Sequence, residues 1–133
     1  MNPPRAVQTT AAAPAGGHYS QGVVHNGVIY VSGQLPTKPD GTRCGHLPFE
    51  EQAALALENV LAIVGAAGGS PRSVLKVTVY LVGVERWAAF NAVYAARMGD
   101  ARPARAVIPV PALNHGALIE LDAIAAVEPK SRD

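Results

Sequence analysis

The chain has 133 residues, which suits one domain, and its 49% hydrophobic and 16% charged residues are ordinary for a globular protein. The formal net charge is +1 and the basic residues are scattered, which disfavours nucleic acid as a partner because that binding needs a basic patch. A single cysteine, Cys44, excludes an internal disulfide framework and fits a reducing compartment. No apolar run approaches about 18 residues and the N-terminus lacks a secretory apolar core, so we expect a cytoplasmic protein with no membrane partner.

The first third of the chain predicts an arm and a β-hairpin. Residues 1–16 offer little to pack, so we expect a flexible, extended or disordered arm. Asn26-Gly27 predicts a hairpin turn, because both positions accept positive φ. The strands that it joins are expected over residues 19–25 and 28–32.

Two helices and a strand are predicted in the middle of the chain. The spacing predicts a helix from Pro48 to Ala67, with one apolar face and a stop at the glycines that follow. A strand is predicted over residues 74–82. One of its faces carries Leu75, Val77, Val79 and Leu81. A second helix is predicted from Glu85 to Met98, where Asn91 interrupts an apolar stripe. Buried amides are normally hydrogen-bonded, so Asn91 is expected to bond to nearby backbone or to face a site.

The stretch from Arg102 to Val127 predicts two further apolar strands joined by a loop of turn residues. If these strands pair antiparallel about the loop, Arg105 lies opposite Glu120 or Leu121, with Cβ atoms about 5 Å apart. Such a pair is either a cross-strand ion pair on a wet sheet face, contributing roughly 0.2–1 kcal/mol, or part of a site.

The predicted element order is β-β-α-β-α-β-β, within one domain over residues 17–128 that is followed by a tail over residues 129–133. This order favours an α+β fold in which two helices cover one face of a sheet. The other sheet face is expected to be apolar, which argues for self-association.

Several common chemistries lack their residue patterns. The four histidines have neither HxH nor HExxH spacing, so no metal site is predicted, and the roles of His18 and His115 stay open. The glycines at 65–69 end a helix, whereas a phosphate loop would begin one. Cys44 is interpreted as an ordinary loop thiol. Ser32 has no evident His and Asp partners of a hydrolase triad.

A set of short motifs is more informative. The motifs are Tyr19-Ser20-Gln21, Ser32-Gly33-Gln34, Asn91, Pro103-Ala104-Arg105 and Ile119-Glu120 followed by Ala123-Ile124-Ala125. In this order they resemble the reactive-intermediate deaminase family of RidA/YjgF type, over most of the chain from about Tyr19 to Val127. The resemblance implies a chorismate-mutase-like α+β fold with a mixed sheet, assembled as a homotrimer with its sites between subunits.

The resemblance also implies a reaction and a set of site residues. Catalytic members hydrolyse enamines and 2-imino acids to 2-oxo acids and ammonia, without a metal or cofactor. Arg105 would bind the substrate carboxylate, and Glu120 would position or activate water. Tyr19, Ser32 and Asn91 would line the pocket. Val107 stands where the best-known deaminases commonly have a cysteine, a position thought to contribute backbone groups as well.

Two functions stay open on these residues. The first is a deaminase of small imines, and the alternative is a non-enzymatic trimer that binds 2-oxo acids or other small carboxylates as a sensor. Arg105 serves both, whereas Glu120 favours the enzyme because a binder has less need of a carboxylate beside an anionic ligand. An endoribonuclease activity is disfavoured by the near-neutral charge, and the sequence does not test a chaperone role.

Overall fold

The computed structural model describes residues 2–130, so Met1 and the last three residues of the predicted tail lie outside it. Its strands are β1 (Arg5–Val7), β2 (Gly22–His25), β3 (Val28–Gln34), β4 (Val74–Val82), β5 (Ala104–Val110) and β6 (Ile119–Ala126). Its helices are α1 (Phe49–Ala66) and α2 (Trp87–Met98), with 3₁₀ turns at Pro71–Ser73, Val84–Arg86 and Asn114–Gly116. The strands form one mixed sheet in the order β1-β2-β3-β6-β4-β5, and both helices contribute to the core on one of its faces. The predicted α+β class is confirmed.

The local signals are confirmed at the first hairpin and at α1. Asn26 and Gly27 have φ values of 52° and 77°, which makes the tight turn between β2 and β3. Pro48 caps α1, and its fixed φ suits the start of a helix. The predicted apolar stripe of α1 is buried over its whole length. Neither helix within residues 2–130 has the length and apolar character needed to cross a membrane.

The N-terminal arm is extended but packed, in contrast to the flexible segment expected for residues 1–16. β1 pairs antiparallel with β2 and forms one edge of the sheet. Val7, Ala12 and Ala13 are buried. The buried Gln21 side chain accepts a hydrogen bond from Thr9 N–H at 2.7 Å and donates to the Ala13 carbonyl at 2.7 Å. Small apolar residues and one well-placed amide therefore hold an arm that has no strong hydrophobic pattern.

The faces of β4 differ from the prediction. Val77, Val79 and Leu81 are buried in the core, whereas Leu75 lies beside an irregularity at Val74–Lys76 and is 52% exposed. We expected this face of β4 to drive self-association; that expectation is wrong, because three of its four apolar residues lie in the core. The other sheet side, which we call the uncovered face, is mixed in character. It carries Tyr30, Thr78, Tyr80, Ile108, Glu120, Asp122 and Ile124.

The predicted pairing of the last two strands is also wrong, although both strands exist. β4 lies between them, parallel to β5 and antiparallel to β6. α2 connects β4 to β5 as a crossover, and such connections join parallel neighbours. The segment 111–118 then passes the end of β4 to reach β6. Strand periodicity marks these two segments but does not identify their neighbours.

Candidate functional site

Arg105 and Glu120 lie on opposite faces of the sheet. Arg105 is in register with Val77, whose side chain points into the core under the helices. Glu120 is in register with Tyr80, on the uncovered face. Residues in register share a face, and successive residues of a strand alternate between faces. The cross-strand pair of Arg105 with Glu120 or Leu121 therefore does not form within one chain.

Arg105 rests on two aromatic rings of α2. The carbon of its guanidinium lies 5.4 Å from the ring centre of Phe90 and 5.0 Å from that of Tyr94, both within cation–π range. Both rings are buried, and Arg105 itself is exposed. It forms no salt bridge within residues 2–130. The rings thus hold the guanidinium in place and leave its donors free for a planar anion.

The ring of Tyr94 supports this guanidinium, but within residues 2–130 its hydroxyl lacks the hydrogen bond that a buried hydroxyl normally makes. It is buried and has no hydrogen-bond partner in the described part of the chain. Burial raises the pKa of Tyr94, and the charge of Arg105 acts in the opposite direction. Tyr94 is therefore a neutral ring at ordinary pH and supports the cation through its π face.

Val107 and Asn91, the other two predicted residues on this side, lie on the same two elements as Arg105 and its aromatic rings, β5 and α2. Val107 is two residues further along β5, on the same face, and packs half-buried against the core. Asn91 follows Phe90 on α2 and is exposed, so it is not the buried member of an apolar stripe that the sequence indicated. Its amide makes no hydrogen bond within the described range. We call the surface formed by Phe90, Asn91, Tyr94, Arg105 and Val107 the arginine edge.

Glu120 lies directly over the backbone of Gly33. A Cβ atom at Gly33 would collide with the Glu120 carboxylate, so only glycine permits this approach. Burial and, to a lesser degree, the neighbouring Asp122 carboxylate raise the pKa of Glu120. Asp122 in turn accepts a hydrogen bond from the Tyr80 hydroxyl at 3.3 Å. Glu120 is therefore a half-buried carboxyl group whose pKa is shifted towards neutrality, as suits acid–base chemistry.

A cavity of about 320 Å³ opens beside Gly33, and we call it the Gly33 cavity. Its wall includes Tyr19, Gly33, Gln34, Arg43, Asn114 and His115. The Tyr19 hydroxyl accepts a hydrogen bond from Gly16 N–H at 3.1 Å, which orients the ring. Ser32 stands next to Gly33 but donates its hydroxyl to the Ser20 carbonyl at 2.6 Å, so it fixes the strand end and does not line this cavity.

Two buried amides of α1, absent from the sequence prediction, hold the loops around this cavity. Gln52 donates to the carbonyls of Gly45 and Leu47, at 3.1 and 2.8 Å, and accepts from Leu118 N–H at 2.9 Å. It thereby ties the loop that carries Arg43 to the loop that carries His115. The available signal was a glutamine within the buried face of a helix, because buried amides are kept where they have partners.

Asn59 is seven residues further along, on the same helix face as Gln52. It donates to the Thr37 carbonyl at 2.7 Å and accepts from Ala13 N–H at 3.3 Å. Asn59 therefore links the arm to the loop after β3. Gln52 and Asn59 together anchor several of the chain segments around the Gly33 cavity to α1.

Comparison with known proteins places these residues in a family. Residues 9–127 match the family described as endoribonuclease L-PSP, so the chain belongs to this family, which is the YjgF/RidA family. The predicted resemblance is confirmed. The chain is 39% identical over 126 residues to the 2-iminobutanoate/2-iminopropanoate deaminase of the goat Capra hircus, covering 94% of this chain and 92% of that protein.

Two solved structures have the same fold. RidA from the Antarctic bacterium Psychrobacter matches with a TM-score of 0.88 and 36% identity, covering 92% of this chain and 99% of that one. TdcF of E. coli, solved with bound serine, matches with a TM-score of 0.87 and 34% identity over 93% of this chain and 99% of that one. The relatives thus include a named deaminase and a protein with an amino acid bound.

The predicted site residues fall into two groups in the structure. Arg105, Val107 and Asn91 belong to the arginine edge, which is formed by β5 and α2. Tyr19, Ser32 and Glu120 are grouped around Gly33, which Glu120 approaches from the uncovered face. Across residues 2–130, no three His, Cys, Asp or Glu side chains come together as ligands for a metal ion.

Proposed function

We propose that this protein hydrolyses small 2-imino acids and their enamine tautomers to 2-oxo acids and ammonia. One observation carries the proposal. Arg105 presents a free guanidinium on one face of the sheet, and Glu120 presents a carboxyl group of raised pKa on the opposite face. A site that uses both Arg105 and Glu120 needs two copies of the chain. The goat deaminase relative supplies the reaction class.

The assembly that fits this geometry is a ring in which the arginine edge of one subunit meets the uncovered face of the next. Tyr30, Ile108 and Ile124 on that face are 48%, 41% and 36% exposed, so the single chain leaves apolar surface to bury. Contact between two different surfaces generates a ring when the rotation between subunits closes, whereas a two-fold dimer would use one surface twice. The family resemblance supports three subunits and three sites.

The chemistry of a 2-imino acid matches the residues proposed for it. Its planar carboxylate takes two parallel N–H donors from a guanidinium fork, which Arg105 presents from its aromatic platform. Its C=N carbon then lies towards the neighbouring subunit's Glu120. A guanidinium and a carboxylate that approach each other in a partly dry cleft also offset each other's desolvation when no substrate is present.

The proposed reaction has two steps. Glu120 removes a proton from a water molecule whose oxygen forms a bond to the imine carbon, and the C=N π electrons move to nitrogen, which takes up that proton from Glu120. The resulting carbinolamine then collapses. Glu120 accepts the hydroxyl proton as the C=O bond forms, and it donates this proton to nitrogen as the C–N bond breaks and ammonia leaves. One carboxyl group therefore acts first as base and then as acid.

The alternative is a sensor that binds 2-oxo acids or other small carboxylates at the same place. The serine bound to the TdcF relative is the observation that favours it, because serine is a small carboxylate that needs no hydrolysis. Arg105 serves a binder as well as an enzyme. Glu120 distinguishes the enzyme from the binder. A carboxylate beside an anionic ligand weakens binding, so a binder gains nothing from it, whereas an enzyme uses it as an acid–base group.

A coupled assay tests the proposal. An amino-acid oxidase generates fresh 2-imino acid in the presence or absence of this protein, and the time course of ammonia release is followed. The deaminase predicts faster release with the wild type and slow release with Glu120→Gln, while Glu50→Gln, an exposed control on α1, behaves as wild type. If wild type and Glu120→Gln both leave the rate unchanged yet bind 2-oxo acids, the protein is a binder and the enzyme proposal fails.

A further inference from the structure

We propose that the Gly33 cavity is a subsite for an acidic group at the far end of the substrate, with Arg43 and His115 as its specificity-determining residues. The preferred substrates are then 2-imino acids that carry a second carboxylate. This inference rests on the proposed function, because it takes the neighbourhood of Glu120 as the position of the imine carbon.

Gly33 connects the proposed reaction position to the cavity. Its backbone lies against the Glu120 carboxylate, and the same residue forms part of the cavity wall. Because Gly33 adjoins both, a ligand whose reacting carbon lies at Glu120 is within reach of the cavity. The volume of about 320 Å³ exceeds what a methyl or ethyl side chain would fill and is within the range of small-ligand pockets.

The charge of the cavity wall favours an anion. Arg43 is part of the wall, and no Asp or Glu side chain lines the cavity. Arg43 makes no salt bridge, and its guanidinium donates no hydrogen bond, within residues 2–130. Asp40, the nearby acid of the same loop, instead accepts a hydrogen bond from Thr42 N–H at 2.9 Å. An uncompensated guanidinium in a concave polar wall is a carboxylate-binding group.

His115 is held on this wall in a strained conformation. Its φ and ψ of 58° and 27° are left-handed, which costs a non-glycine residue roughly 1–2 kcal/mol. Gly45 packs so closely against this loop that a Cβ there would lie 2.8 Å from the His115 carbonyl oxygen. Gln52 ties both loops to α1. The fold therefore keeps a histidine on the cavity wall although glycine or asparagine would adopt this backbone conformation more easily.

The neighbouring polar groups complete a site for a carboxylate. Asn114 and Thr37 line the same cavity and offer an amide and a hydroxyl. Tyr19 forms the side nearest the arm, with its hydroxyl already engaged by Gly16. A neutral alkyl side chain would leave these polar groups without a partner, whereas a second carboxylate would bind to Arg43 and to the imidazole N–H.

The experiment compares two product analogues, 2-oxoglutarate and 2-oxobutanoate, by calorimetry with the assembled full chain. The wild type is expected to bind 2-oxoglutarate at least tenfold more tightly. Arg43→Gln should reduce this ratio about tenfold while it leaves the affinity for 2-oxobutanoate unchanged. His115→Asn, which suits the left-handed backbone, should reduce the ratio less. Lys38→Gln is the matched control, because Lys38 is an exposed cation of the same loop that does not line the cavity.

The outcomes separate this inference from the proposed function. Equal wild-type affinity for the two ligands, or a ratio that survives Arg43→Gln, overturns the acidic subsite even if imines are hydrolysed. Preference for 2-oxoglutarate without imine hydrolysis supports the subsite and overturns the deaminase. If the wild type binds neither ligand and hydrolyses no imine, both proposals fall.

Discussion

Arg105→Lys is the substitution whose consequence can be worked out most fully from the structure. Lysine keeps the positive charge but loses the planar fork that binds a carboxylate through two hydrogen bonds. It also loses the flat surface by which the guanidinium rests on Phe90 and Tyr94, at 5.4 and 5.0 Å. The charge therefore stays while the geometry is lost.

The expected magnitude follows from these two losses. A hydrogen bond to a charged group contributes about 1.5–3 kcal/mol, and a cation–π contact at an exposed position about 0.5–1 kcal/mol. Lysine recovers part of both through its single ammonium group. A net loss of about 1.4–3 kcal/mol remains, which corresponds to a roughly 10- to 150-fold decrease in kcat/KM.

The assay measures kcat/KM for freshly generated 2-imino acid, together with the Kd for 2-oxobutanoate. Tyr94→Phe is the matched control, since it keeps the aromatic platform and removes only a buried hydroxyl that has no partner in residues 2–130. It should leave both constants within about twofold of wild type. Wild-type kcat/KM and Kd in Arg105→Lys would refute the assignment of Arg105 as the carboxylate-binding residue.

Three further predictions concern the opposite side of the sheet and the loops. Glu120→Gln should lower kcat, because the acid–base group is lost, while a 2-oxo acid should bind as well or better, because a like charge is removed. Unchanged kcat in the coupled assay would exclude Glu120 as the acid–base group. Gln52→Leu leaves two carbonyls and one N–H without their partner, so thermal melts should show a stability loss of about 2 kcal/mol or more, and a wild-type Tm would contradict this structural role. Activity should survive EDTA unchanged, and activity that is lost to EDTA and restored by zinc would overturn the proposed mechanism.

The parts of the fold that the sequence predicts are those with a local physical cause. Asn26 and Gly27 form the hairpin turn because both adopt positive φ. α1 begins after Pro48 and buries its apolar stripe as the 3.6-residue period requires. The motifs around Arg105 and Glu120 identified the family for a different reason, since they were recognised as a resemblance and not worked out from periodicity.

The parts that failed depend on contacts between distant segments. β5 and β6 follow each other in the chain, but β4 lies between them, and no periodicity within a strand states its neighbour. The packed arm depends on hydrogen bonds of Ala13 with the side chains of Gln21 and Asn59, and Asn59 lies 46 residues further along the sequence. Leu75 leaves the apolar face through a local irregularity. The placement of Arg105 and Glu120 on opposite faces follows from the register of β5 and β6 with β4.

Subunit complementation tests most directly that Arg105 of one subunit and Glu120 of the next form one active site. Arg105→Gln and Glu120→Gln, each inactive alone, are denatured together and reassembled as a mixture. If every site takes its arginine and its glutamate from different subunits, random mixing restores both groups in roughly a quarter of the sites. The account predicts imine hydrolysis at about a quarter of the wild-type rate from the mixture, and none from either variant reassembled alone. A mixture as inactive as its parents, although native mass spectrometry shows mixed assemblies, would contradict it.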